Sequence, residues 1–202
     1  IPENWENTEA ATPTLLYVGR LDFGKGVGSL PAIMNAVWGQ APDARLILAG
    51  GDTYARGIGS IQRWLSHRFG DRLSRVSFPG ELDKEAVEEC YRRAWVVVVP
   101  SRWDSCSNVT LEAMARAKPV VVSPHGGMSE LVEGTGAPVV DPATPAFAEA
   151  VVELLNDKPS RDRMGSSLRA RAERYFNPER VADLYCRFVN GGLERAAAGA
   201  AE

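Results

Sequence analysis

The chain has 202 residues, 45% of them hydrophobic, and its 23 Lys and Arg against 26 Asp and Glu leave a formal net charge of −3. This is enough to bury one large globular core. Acidic and basic residues are interleaved, so there is no basic face for nucleic acid, and no apolar run approaches the length of a membrane span. The three cysteines, Cys90, Cys106 and Cys186, lack disulfide or metal-ligand spacing, which fits a reducing, cytoplasmic setting.

In chain order, "IPENWENTEAATP" has the composition of a linker arriving from an upstream domain, so residues 1–13 are set apart. Five short apolar runs bounded by turn residues read as strands: "LLYV" (15–18), "RLILA" (45–49), "RVSF" (75–78), "WVVVV" (95–99) and "PVVVS" (119–123), with a weaker sixth at "APVVD" (137–141). Between them, Leu30, Ile33, Met34 and Val37 repeat at helical spacing. Ala86, Val87, Cys90, Tyr91 and Ala94 do the same behind Asp83 as N-cap. A helix "NVTLEAMARA" follows the fourth run, capped by Ser107 or Asn108. Thr144 and Pro145 open another, with Phe147, Ala150, Val151, Leu154 and Leu155 inward and Pro159 as its end. Ser160, and then Asn177 with Pro178, open two more. The runs hold few polar residues, so both sheet faces are covered. The expectation is one α/β domain over 14–190, a Rossmann-like doubly wound parallel sheet of about six strands with helices on both faces and a helical C-terminal end. Residues 191–202, ending in "AAAGAAE", are expected to be a disordered or frayed tail.

In such sheets ligands bind beyond the carboxyl ends of the strands, where loops meet helix N-termini. Two loops there carry chemistry. The first, "GRLDFGKGVGS" (19–29), supplies glycines that let backbone amides approach a phosphate, while Arg20 and Lys25 neutralise oxygens. It falls short of a nucleotide-hydrolase loop because Gly26 stands where a magnesium-binding hydroxyl belongs. The alternative is a plain glycine turn with solvated cations. The second loop, Ser101 to Ser107, is small and polar apart from Trp103. It places Asp104 before the helix and Glu112 one turn inside it, on the face of Asn108. A first-turn anion site lies next to them. Taken singly, Asp104 is a turn-former and Glu112 a surface glutamate; beside free helix amides they suit a nucleotide, whose ribose diol offers two donors to a carboxylate. His125, alone in a turn before two glycines, stays unassigned. His67 is expected on a helix surface, and Trp38, Trp64 and Trp95 in the core.

"LLYVGRLDFGKG", "RLILAGG", "VSFPGELDKEAVEECYRRAWVVVVPS", "DSCSNVTLEAMARAKPVVVS" and "HGGMSELV", in this order, resemble the C-terminal, donor-binding half of retaining family-4 glycosyltransferases of the GT-B fold. The resemblance covers roughly residues 14–190. It implies that Asp104 and Glu112 keep the family's pair of acids separated by seven intervening residues, with Glu112 on the ribose. Asp104 and the backbone of Cys106, Ser107, Asn108 and Val109 would then face the transferred sugar and its phosphate. Arg20 and Lys25, beside Gly19, are similar to the family's diphosphate pair, and Gly80, Glu81 and Leu82 resemble the loop that holds the base through main-chain contacts. Three positions depart from the pattern: Asp104 replaces a glutamate, "SCS" replaces Gly-Phe-Gly, and Ala117 stands where a helix-ending glycine is common.

The resemblance thus implies a UDP-sugar or GDP-sugar donor, no cofactor and no metal, and an acceptor lobe upstream of this chain. It leaves room for peripheral membrane association of a full-length enzyme, and the acceptor is a glycan, lipid or small molecule. Other readings of the same residues are a non-catalytic sugar-nucleotide-binding module and another GT-B enzyme such as a sugar-nucleotide epimerase.

Overall fold

A computed structural model describes residues 6–199. Five parallel strands form the central sheet: β1 (Thr14–Val18), β2 (Arg45–Ala49), β5 (Val76–Gly80), β6 (Val96–Val99) and β7 (Val120–Val122), in the spatial order β5-β2-β1-β6-β7. Every residue of β6 and β7 is buried. Successive side chains of a strand point to opposite faces, so an unbroken valine run is stable only under two covering layers. Helices α1 (Leu30–Gln40) and α6 (Pro145–Asn156) pack together, as do α4 (Asn108–Ala115) and α7 (Lys158–Tyr175), and both α4 and α6 rest on β6 and β7. Helix α3 (Lys84–Arg93) covers β1 and β2. The doubly wound architecture read from the sequence is therefore present.

The sixth strand shrinks to a bridge. Val139 pairs with Val122, Val140 N–H donates to Val122 at 2.9 Å and Val122 N–H to Pro138 at 3.0 Å. Pro138 has no N–H with which to extend the ladder. A small hairpin, β3 (Tyr54–Ala55) with β4 (Gly59–Ser60), and helices α2 (Ile61–Phe69) and α5 (Met128–Leu131) complete the fold. Pro159 lies in the first turn of α7 and so opens that helix. Its cap is Asp157, whose carboxylate accepts the Ser160 N–H at 3.0 Å; Ser160 is not the cap.

Part of the expected linker is pinned. Ala10 N–H donates to Arg93 O at 3.0 Å, the Trp95 indole donates to Ala10 O at 2.7 Å, and Glu9 pairs with the buried Arg161 at 3.1 Å. Residues 1–5 of that linker lie outside the described residues. Helix α8 (Pro178–Gly199) continues past the boundary expected at 190 in an alanine-rich stretch of high helix propensity, and residues 200–202 of the expected tail lie outside the description.

Candidate functional site

The C-terminal ends of β1, β2 and β5 are drawn together by backbone bonds: Gly19 N–H to Ala49 O at 2.8 Å and Gly50 N–H to Gly80 O at 2.9 Å. The approach is so close that a Cβ on Gly50, at φ +151°, would lie 2.0 Å from Gly19 O. Beyond these ends a trough crosses the sheet as two adjoining depressions. One, of about 370 Å³, lies over β1 and β6, with Arg20, Lys25, Asp104 and Cys106 on its wall. The other, of about 310 Å³, runs over β1 and β2 to Glu81 and Leu82. Val18, Gly19 and Arg20 line both, so they share a rim.

The glycine loop closes the first depression from one side. Asp22 accepts the Gly24 N–H at 2.7 Å and starts a tight turn, Phe23–Lys25, that ends at Gly26 with φ +79°. A Cβ on Gly26 would stand 1.7 Å from Pro100 O. That contact explains the missing hydroxyl: no serine or threonine fits where the turn docks on the exit of β6. Arg102 N–H donates to Gly24 O at 2.9 Å and completes the junction. Lys25 Nζ consequently reaches Asp104 Oδ2 at 2.9 Å, across 79 positions of sequence. The lysine side chain remains 39% exposed and the aspartate 14%, so the pair sits at the mouth with ammonium donors still open to the cleft. The diphosphate cation and the sugar-facing acid expected from the sequence thus meet directly.

Helix α4 supplies the opposite wall. The Ser107 hydroxyl accepts the Thr110 N–H at 3.2 Å as N-cap, settling the choice between Ser107 and Asn108. Ser107, Asn108 and Val109 line the first depression, which sets the first-turn amides and the positive end of the helix dipole at its edge. Arg20 is exposed at the lip. Below it the Tyr17 hydroxyl donates to Arg20 O at 2.6 Å, and burial pushes that phenol well above its ordinary pKa, so it stays a donor.

Glu112 is half-buried one turn along α4 and lines neither depression. Its Oε2 accepts the hydroxyl of Tyr91 at 2.9 Å, and Tyr91 is fully buried in the last turn of α3. Arg116 donates to Glu112 O at 2.8 Å, stacks on the Tyr91 ring with its guanidinium carbon 4.8 Å from the centroid, and grips Glu88 of α3. The Arg116 bond holds the Glu88 carboxyl below its usual pKa, while burial, and then the neighbouring Glu112 charge, drive the Tyr91 phenol well above its own. Tyr91 was visible in the sequence only as a member of an apolar stripe. An aromatic hydroxyl there, 21 residues before an acid on the next helix, was the signal available.

Gly80 lines neither depression; it is the acceptor that ties β5 to β2. Trp103 is 72% exposed beside Asp104 without lining the cleft, and His67 is exposed as expected. His125 lies in a separate depression of about 530 Å³, its Nε2 4.0 Å from Asp141 Oδ1. Trp38 is buried, and Trp64 and Trp95 pack half-buried against the core. Ala117 has φ +50°, the left-handed conformation in which a glycine would be at ease. No helix among the described residues is long and apolar enough to cross a membrane.

Residues 12–157 match the family described as "Glycosyl transferases group 1". The alpha-D-kanosaminyltransferase of Streptomyces kanamyceticus is 33% identical over 157 residues, 77% of this chain and 39% of that protein. Among solved structures, sucrose-phosphate synthase from Thermosynechococcus elongatus is 33% identical with a TM-score of 0.74, over 90% of this chain and 46% of that one. Anabaena Alr3699/HepE in complex with UDP-glucose shares the fold, with a TM-score of 0.77 at 21% identity over 90% of this chain and 49% of that one. The chain therefore spans 39% of the first of these relatives and less than half of the two solved chains.

Proposed function

The chain belongs to the group 1 glycosyl transferases, and on that premise we propose that it is the donor-binding lobe of a retaining, family-4, cytoplasmic enzyme that moves a sugar from a nucleoside diphosphate to an acceptor hydroxyl. The observation that carries the reading is the convergence of Arg20, Lys25, Asp104 and the first turn of α4 on one cleft at the ends of β1 and β6. Two cations and a helix N-terminus suit a diphosphate, and a carboxylate beyond them suits sugar hydroxyls. The adjoining depression ending at Glu81 and Leu82 takes the base, and Glu112, one turn inside the helix whose first turn lines the other depression, reads the ribose. UDP is the favoured nucleotide over GDP, because the neighbouring fold from Anabaena is recorded with UDP-glucose.

In the reaction the bond between the anomeric carbon and the β-phosphate oxygen breaks, the acceptor oxygen bonds to the same face of that carbon, and the acceptor's hydroxyl proton passes to the departing β-phosphate oxygen. Negative charge then grows on the leaving diphosphate, where Arg20, Lys25 and the α4 amides are already aimed. Preorganised donors of this kind lower the barrier without a metal ion. The acceptor and the residues that hold it belong to a second lobe outside these 202 residues, so this chain alone binds donor and transfers nothing, since only one reactant is fixed.

Thermal-shift measurements with UDP, GDP and ADP at millimolar concentration test the proposal. A binder raises the midpoint by mass action, and UDP should do so with a dissociation constant of about 10 μM to 1 mM. Equal, null shifts with all three nucleotides would overturn it. The runner-up, a non-catalytic sugar-nucleotide module, rests on the same cleft. It would be favoured by a full-length protein that binds donor yet transfers to no acceptor.

A further inference from the structure

We propose that Tyr91 is a positioning residue for Glu112, fixing the carboxylate that reads the ribose; this rests on the donor-site reading above. Glu112 carries three rotatable side-chain bonds on a half-buried helix face, and freezing them at the moment of binding costs affinity. Tyr91 removes that cost in advance. Its ring is fully buried between α3 and the sheet and braced by the Arg116 guanidinium, so the hydroxyl has one place to point, and it points at Glu112 Oε2 from 2.9 Å.

The chemistry is one-directional. An ionised carboxylate only accepts, and a phenol whose buried surroundings keep it protonated donates to it. Oε2 is thereby engaged by the protein, and Oε1 is the oxygen that the proposal gives to a ligand hydroxyl. Because Tyr91 is on α3 and Glu112 on α4, the bond also fixes the carboxylate relative to the base end of the trough, whose Glu81 and Leu82 immediately precede α3. Held this way, Glu112 distinguishes a nucleotide with a ribose diol from one without. A deoxyribose leaves a fixed acceptor short of its donor.

The test is calorimetry with UDP and 2′-deoxy-UDP. The wild-type chain should prefer UDP, and Tyr91→Phe should weaken UDP about fivefold while leaving 2′-deoxy-UDP unchanged, so that the preference collapses. Thr14→Val serves as stability control. It deletes a hydroxyl bonded to Thr12 O at 2.8 Å at the opposite end of β1, and should lower the melting temperature without touching the preference. Glu112→Gln separates the two levels of argument. If it abolishes the preference while Tyr91→Phe retains it, Tyr91 does not position Glu112; if Glu112→Gln itself retains the preference, the ribose reading falls and this inference with it. Should Tyr91→Phe fail to fold, the wild-type chain labelled with 3-fluorotyrosine gives the answer. The Tyr91 fluorine resonance should move with UDP and stay put with 2′-deoxy-UDP, and identical behaviour with both would overturn the inference.

Discussion

Replacing Asp104 by asparagine keeps the size of the side chain and removes a charge 2.9 Å from Lys25 Nζ. At that separation two unit charges attract by about 1.4 kcal/mol in water and about 6 kcal/mol at an effective dielectric of 20. Lys25 is 39% exposed, which places the pair toward the watery end, with a net worth of about 1 kcal/mol. A diphosphate entering the cleft must share Lys25 with that carboxylate and approach its negative charge. Asp104→Asn frees the ammonium, so UDP should bind tighter by about 1 kcal/mol, or about fivefold. UDP-glucose should gain less than UDP, because the sugar loses a charged acceptor worth about 1–3 kcal/mol when buried. Calorimetry of both ligands at one fixed ionic strength measures the two changes. Weaker UDP binding by Asp104→Asn, or an equal gain for UDP and UDP-glucose, would refute the placement of phosphate at Lys25 and sugar at Asp104.

Arg20→Ala should weaken UDP by about 1–3 kcal/mol and leave uridine unaffected, and Lys25→Ala should cost more because it also strands Asp104; equal losses for UDP and uridine would place both cations elsewhere. Ala117→Gly should stabilise the fold by about 0.5–1 kcal/mol in urea unfolding, since Ala117 holds φ +50° at the end of α4; a loss of stability would mean the strain is absent. Lys118 is buried against Arg92 O and Ala94 O, and desolvation lowers its pKa from 10.5 to about 8. Between those two values the unfolded chain keeps a proton that the folded one has released, so this lysine's contribution is complete above 10.5 and is lost as pH falls through 8. Compared with Lys118→Met, the wild type should therefore gain on the order of 2 kcal/mol between pH 7.5 and 10.5, read by denaturant unfolding at each pH, and a flat difference would contradict the shift.

The parallel sheet was legible because its cause is local and repeated: valine runs too apolar to expose, punctuated by Asp83 and Ser107, each of which caps a helix by accepting the N–H three residues on. The cleft was legible for the same reason, being built from a glycine turn after β1 and the first turn of α4. What escaped depends on contacts between segments far apart in sequence. Lys25 was read as a phosphate cation on one loop and Asp104, through the resemblance, as a sugar-facing acid on another, and only the docking of Gly26 on Pro100 brings them into one ion pair. Tyr91 looked apolar because its ring is, and its hydroxyl matters only once α3 and α4 lie side by side. The hairpin of β3 and β4 has two residues per strand, too few for any period to register. Ser160 was read as opening the next helix because Pro159 was read as ending the one before; with Pro159 inside the first turn of α7, the cap falls to Asp157 instead.

The claim that a nucleoside diphosphate lies across the ends of β1, β2 and β6 is tested most directly by titrating the isotopically labelled chain with UDP and following its backbone amide resonances. The account predicts saturable shifts at Gly19, Arg20 and Lys25, at Glu81 and Leu82, and at Ser107, Asn108 and Val109, with little change around His125 and Asp141. Shifts centred on the His125 depression, or none at millimolar UDP, would contradict it.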